Sequence, residues 1–199
     1  MAEGISAIVT GAPITATGGL CFADPASAQF PDDADTALGN SWIKGGFIGE
    51  DGVTRTTDAS DDKIKAWGGD TVKIVRTEHS ITYTFQFLES ANAEVLKLIH
   101  GAENVIITEP TTTARGKIEI RQTSKIPPRR AFCLDMKDDE TSLRELVKNG
   151  QLTTSGDAVF VHSDVIRYEC VIECFPDDQN VKAISLMGTP KLPAGGSGE

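Results

Sequence analysis

The chain has 199 residues, of which 39% are hydrophobic and 6% aromatic, and 19 basic against 29 acidic residues give it a net charge of −10. This length and composition are typical of one folded domain with a substantial core and exclude a wholly disordered chain. The acidic charge disfavours a protein that grips a nucleic acid backbone, and no apolar run reaches the roughly 20 residues of a membrane-spanning helix.

Residues 1–40 are rich in Ala, Gly, Pro, Thr and Asp and show weak hydrophobic periodicity. We therefore expect an N-terminal arm or irregular wrap here, with a first strand only in "SWIKGGFIG" (41–49). The N-terminus lacks the basic start and apolar block of a secretory signal, so we expect synthesis and folding in a cytoplasm.

The segment 49–70, "GEDGVTRTTDASDDKIKAWGGD", holds few apolar side chains and has turn signals at both ends. A structureless stretch of this length is uncommon in a compact domain unless it has a function. We predict a long interaction loop with Trp67 as its anchor. The alternative, in which Trp67 folds back onto its own core, stays open.

The stretch 81–101, "ITYTFQFLESANAEVLKLIHG", joins a strand to a helix. Alternation places Phe85 and Phe87 on one face of a strand, and a tight turn at 78–80 would join it to an earlier strand at 71–77. A helix is predicted over 91–100, with Val95, Leu98 and Ile99 as its apolar stripe. Because so short a helix is marginal alone, we expect this stripe to dock on the aromatic face of the sheet.

Further strands are predicted at 116–123, 130–137, 142–150, 157–163 and 165–175, and the last shows the cleanest alternation. The fold class is mainly β, a β-sandwich or partly closed barrel with one flanking α-helix. The domain is expected to span 41–175, followed by a C-terminal arm and flexible tail over 176–199 that has linker composition from Gly188 onward.

We find no sequence pattern for a catalytic, cofactor-binding or metal-binding site. The three histidines lie outside catalytic and zinc motifs, and no phosphate-binding glycine loop is present. The four cysteines form no C-x-x-C pair, so reduced, buried thiols are expected. The basic segment "KIPPRR" (125–130) is interpreted as a turn or as an ion-pair site across subunits.

Three blocks taken together resemble the major tail protein, or tail tube protein, of long-tailed siphophages that infect Gram-positive bacteria. They are "GFIGEDGVTRTTDASDDKIKAWGGDTVKIVRT" (46–77), "FQFLESANAEVLKLIHGAENV" (85–105) and "YECVIECFPD" (168–177). The earlier "PDDADTALGNSWIKGGFIGEDGV" is similar to the same family, so the likeness covers roughly residues 25–177.

The resemblance implies a structural protein of the phage tail, not an enzyme, that forms homohexameric rings stacked into a hollow tube for DNA. Its implied partners are copies of itself, a tape measure protein, a tail terminator and a distal tail protein, while DNA passes without specific binding. The long loop and the terminal arms would reach neighbouring subunits and rings. Interface candidates are Asp51, Arg55, Lys63, Lys65, Trp67, Arg129 and Arg130.

Acidic charge in the lumen would keep DNA from adhering as it slides. The lumen candidates are Glu119 and Asp135, on the polar faces of 116–123 and 130–137. Two alternatives remain: another tail ring component with a related fold, such as a terminator or baseplate protein, or an unrelated β-sandwich binding module or hydrolase.

Overall fold

A computed structural model describes residues 8–15, 19–154 and 158–188 of the chain. These residues are mainly β, with one α-helix. In chain order the elements are β1 (Leu20–Ala23), β2 (Ile43–Lys44), β3 (Thr54–Lys65), β4 (Thr71–Phe87), α1 (Ala93–His100), β5 (Val105–Thr108), β6 (Lys117–Ile120), β7 (Arg130–Asp138), β8 (Thr141–Thr154), β9 (Tyr168–Cys174) and β10 (Ile184–Gly188).

Eight strands form one antiparallel sheet in the order β2-β1-β7-β8-β9-β4-β3, and β10 pairs with the first half of β8. The sheet does not close on itself. Strands β5 and β6 form a separate hairpin. The main sheet therefore ends in a two-residue strand, β2, on one side and in the twelve-residue β3 on the other.

The main sheet buries side chains on both faces. Along β1, Leu20 and Phe22 belong to the larger apolar cluster, whereas Cys21 and Ala23 belong to a second cluster with Trp42. This second cluster is covered by the segment between β1 and β2, from which Ala28, Phe30 and Leu38 pack inward. The alternation of side chains along a strand explains why four successive residues are all buried.

Helix α1 packs on the larger cluster. Asn92 caps it by accepting backbone N–H groups of Glu94 and Val95, and Gly101 ends it at a φ of 88°. The apolar stripe and the aromatic strand residues meet in one cluster, which contains Phe85, Phe87, Val95, Leu98 and Ile99.

The predicted loop at 49–70 is wrong in its secondary structure. Residues Thr54–Lys65 form β3, which pairs along its whole length with a β4 that runs without interruption from Thr71 to Phe87. The turn expected at 78–80 is therefore wrong as well, since Glu78, His79 and Ser80 pair with β3 inside a strand. The chain turns instead at 66–70, where the Ala66 N–H donates to the Asp70 carbonyl at 2.8 Å.

The arms are also more integrated than expected. Within 1–40, Leu20–Ala23 is a core strand, and within 176–199, Ile184–Gly188 is β10. Residues 158–163 belong to no strand, contrary to the prediction for 157–163, and only Ile43–Lys44 of 41–49 is a strand. The first seven residues of the predicted N-terminal arm, and the predicted flexible tail beyond Gly188, lie outside the described residues.

Candidate assembly surfaces

The β3–β4 hairpin projects from the body of the protein. All twelve residues of β3 and the first nine of β4 are exposed, whereas β4 becomes buried from Tyr83 onward, where it pairs with β9. Thr54–Thr56 pair with residues of β4 that also pair with β9, so the projecting part of β3 is residues 57–65. At about 3.3 Å per residue, this part reaches about 30 Å. An isolated two-stranded hairpin is at best marginally stable in water. We therefore expect the projecting part of this hairpin to be covered by a partner.

The outer half of the hairpin carries apolar side chains on both faces. Opposed residues of an antiparallel pair share a face, so Ile74 lies with Lys63 on one face, and Val75 lies with Asp62 on the other. Ile64, opposite Lys73, belongs to the second of these faces. Large exposed side chains on this half are Ile64, Trp67, Val72, Ile74 and Val75. Exposed apolar groups gathered on one projection mark an interaction site.

The root of the hairpin is fixed by a polar cluster around Glu145 of β8. Arg55 Nη1 donates to both Glu145 carboxylate oxygens at 3.0 Å and to Ser185 Oγ at 2.9 Å. Tyr83 Oη donates to Glu145 Oε2 at 2.6 Å, and burial followed by this carboxylate raises the pKa of Tyr83 well above its usual range. Side chains of four strands, β3, β4, β8 and β10, therefore meet in one polar cluster at the root of the hairpin.

A lysine beyond the core also holds the hairpin root. Lys182 Nζ donates to the backbone carbonyl of His79, close to where β4 leaves the body. The segment around β10 therefore braces the hairpin through both Lys182 and Ser185.

Most of the interface candidates on the hairpin are available to a partner. Asp51, Lys63, Lys65 and Trp67 are exposed, and Trp67 is fully so at 106%. The alternative in which Trp67 folds back onto its own core is wrong. Arg55 is different, because its guanidinium is committed to Glu145 within the chain.

The two arginines of the basic segment have partners in their own chain. Arg129 stacks over the Phe175 ring at 3.8 Å, and Arg130 pairs with Asp24 at 3.3 Å. Their contribution to an interface between subunits stays a prediction.

Asp135 is wrong as a lumen candidate, because it is 7% exposed and paired with the buried Arg144 at 2.5 and 3.1 Å. Arg144 also donates to the carbonyls of Asp33 and Thr36, at 2.9 and 3.0 Å. The segment between β1 and β2 covers both charges. A carboxylate inside this cover cannot line a channel in this conformation.

Glu119 lies on β6, in the small hairpin apart from the main sheet. Hydrogen bonds from Lys117 at 2.6 Å and Arg121 at 3.1 Å lower the pKa of its carboxyl and offset its charge. Its position in a lumen stays a prediction.

Residues that the sequence analysis missed are Glu145, Ser185 and Lys182. A charged residue at a core-facing place in an alternating strand is a usable signal, and Glu145 sits between Leu143 and Val147 in β8. Nothing in the pattern around Ser185 or Lys182 indicates that they reach the hairpin.

Three features of the described residues concern metal binding, thiol reactivity and membrane crossing. Within 8–15, 19–154 and 158–188, no group of three or more His, Cys, Asp or Glu is arranged to hold a metal ion. Burial raises the pKa of Cys21 to about 11 and that of Cys170 and Cys174 to about 12, which opposes thiolate formation. No helix of this part of the chain is long and apolar enough to cross a bilayer.

Comparison with protein families decides what kind of molecule carries this hairpin. Residues 6–176 match the family described as phage tail tube protein. The chain belongs to the phage tail tube protein family. The match includes the whole β3–β4 hairpin, α1 and β9, and it stops short of β10. No curated protein matches the chain.

Family membership indicates what the exposed hairpin contacts. A tail tube protein is a structural component of the phage tail that assembles with copies of itself into a tube. The surfaces described above are therefore candidate contacts between copies. The protein is located in the virion tail.

Proposed function

We propose that this protein forms homohexameric rings that stack into the tube of a non-contractile phage tail, through which genomic DNA reaches the host cell. The observation that carries this proposal is the hairpin, whose projecting part of about 30 Å is exposed on both faces and whose root is held by the Arg55–Glu145 ion pair, in a member of the tail tube family.

The open sheet supports growth by addition of identical copies. Strand β3 is a twelve-residue edge whose outward N–H and C=O groups are unpaired, and such edges invite pairing with another chain. A contact between different surfaces of identical copies either closes into a ring or continues as a filament. In a tube of stacked rings, one contact closes each ring and another continues from ring to ring.

The acidic charge suits a DNA conduit. Six copies with a net charge of −10 each carry about −60 per ring, and a share of this charge at the lumen repels the DNA backbone. We infer that DNA slides through without specific binding.

The role is structural rather than catalytic, and the raised pKa values of the buried thiols agree with it. We propose assembly in the cytoplasm of the bacterial host, with a tape measure protein to set tube length. A tail terminator and a distal tail protein would bound the two ends.

Copy number tests this proposal against the other tail ring components. Quantitative gel densitometry of purified virions should place this chain among the most abundant tail proteins, since a tube repeats its ring many times. A single ring's worth of copies per virion would instead indicate a terminator or baseplate protein.

A further inference from the structure

A groove of about 430 Å³ opens on the body beside the root of β3. Five of its twelve lining residues are glycines, and the apolar side chains around it include Ile48, Val53, Leu134 and Met136. Gly46 and Gly52 have φ values of 76° and 67°, so the backbone there selects glycine. A side chain at Gly46 would clash with the Glu89 carboxylate, whereas the space beside Gly52 is open. The result is an apolar recess of a size that accepts a large side chain.

The far end of the hairpin presents a side chain suited to such a recess. Trp67 sits in the turn closed by Ala66 and Asp70, and its indole is fully exposed. Tryptophan is one of the residue types enriched in interface hot spots, and its side chain buries a large area when it is covered.

The groove cannot receive Trp67 from its own chain. Its lining residues Gly49, Gly52 and Val53 immediately precede β3, so the groove lies at the root of the hairpin whose opposite end holds the indole. The two are separated by the length of β3, about 40 Å. Only another copy can bring the two together.

The charges around the two surfaces are complementary. Between residues 63 and 73 the hairpin carries Lys63, Lys65 and Lys73 against a single acid, Asp70. The groove segment 46–53 contains Glu50 and Asp51 and no basic residue. In a chain with a net charge of −10, a basic tip facing an acidic rim favours this pairing over other parts of the surface.

We propose that Trp67 of one copy inserts into the glycine-lined groove of the next copy, with its flanking lysines facing Glu50 and Asp51. The choice of a second copy as the occupant rests on the proposed tube function. Because the tip and the groove are different surfaces at opposite ends of the hairpin, the contact propagates from copy to copy without closing on a pair.

Photo-crosslinking tests the contact directly. Trp67 is replaced by the photoreactive benzoylphenylalanine, and the full-length protein is assembled from an equal mixture of ¹⁴N and ¹⁵N chains and irradiated. Mass spectrometry should then find peptides of mixed isotope that join position 67 to residues 46–53 or 134–136. Normal tubes in which position 67 crosslinks only to other parts of the chain would overturn the contact while leaving the tube function standing.

Substitutions give an independent test of the groove. Met136→Trp fills the recess and should raise the concentration needed for assembly at least about 10-fold, as should Trp67→Ala, whereas the volume-conserving Met136→Leu should leave it nearly unchanged. Thermal unfolding of the unassembled variants checks that each is folded. Because Trp67→Ala and Met136→Trp remove the same contact, the variant that carries both should need little more protein for assembly than either single variant. If the two effects on the assembly concentration multiply fully in the double variant, the proposed contact is overturned. If even the unsubstituted chain forms no rings or tubes, the proposed function itself fails.

Discussion

Arg144 ties distant parts of the chain together, since its guanidinium contacts Asp135 and the backbone carbonyls of Asp33 and Thr36. Arg144→Leu leaves the Asp135 carboxylate buried without its partner and should lower the free energy of unfolding by about 3–5 kcal/mol. Urea denaturation of the monomer measures this loss. Arg121→Leu is the matched control, because its ion pair with Glu119 is exposed and screened by solvent, so its loss should leave the free energy of unfolding nearly unchanged. If both variants lowered the free energy of unfolding equally, the buried pair would contribute no more to stability than the exposed one.

His100 makes the body sensitive to acid. Burial lowers the pKa of its imidazole below the ordinary value of 6.5, and its Nε2 has no hydrogen-bond partner. The unfolded chain then binds the proton more readily than the folded one, so this contribution to stability is complete above about pH 6.5 and is lost as the pH falls towards the folded pKa.

The variant His100→Phe removes the titrating group and keeps an aromatic ring against Tyr168. Thermal melts should show a smaller loss of Tm for the variant than for the parent chain between roughly pH 7.5 and pH 5.5. An identical slope for the two chains would remove His100 as a source of acid sensitivity.

Among the elements, α1 supports the body and the hairpin does not. Leu98 is 4% exposed in the larger cluster, and Leu98→Ala should cost about 2–5 kcal/mol of unfolding free energy in chemical denaturation. Lys97→Ala on the same helix loses only a partly exposed ion pair with Glu94 and should cost under about 1 kcal/mol. A Leu98→Ala variant as stable as the Lys97→Ala variant would mean that the stripe does not hold the helix to the sheet.

The outer hairpin should be dispensable for folding and necessary for assembly. Replacing residues 61–77 with Asn-Gly keeps Ser60 opposite Glu78, supplies a favoured two-residue turn and retains the Arg55 anchor. Circular dichroism should show a Tm within a few degrees of the parent chain, and sedimentation should show no large assemblies. Assembly at the parent level would exclude the outer hairpin from the contacts.

The helices and strands differ in how well the sequence pattern predicts them. Strand β9 and the buried end of β4 alternate because one face packs on the core, and α1 shows its stripe for the same reason. Strand β3 gives no such signal, since both its faces are exposed and both are largely polar. Strand β1 is the opposite case, with both faces buried.

The segment 158–163 carries three consecutive β-forming residues, Val159, Phe160 and Val161, and all three are exposed. Within the part of the chain that the structure describes, this segment pairs with no strand. Sequence pattern identified the docking of α1 on the sheet, and the interface role of the exposed Trp67 stays a prediction. The anchoring of Arg55 and the burial of Asp135 depend on strand register, which no local pattern gives.

The molecule as a whole combines a well-packed body with surfaces that a single copy leaves uncovered. The long edge of β3, the apolar faces of the outer hairpin and the glycine-lined groove all belong to this category. Two of these lie on the hairpin and the third at its root, so contacts between copies within and between rings can cover all three.

Electron microscopy of the purified, full-length protein at high concentration, with its initiating tail partners added if needed, tests this account most directly. The account predicts six-fold rings and hollow tubes built from this chain alone. A species that stays monomeric under all these conditions would contradict it.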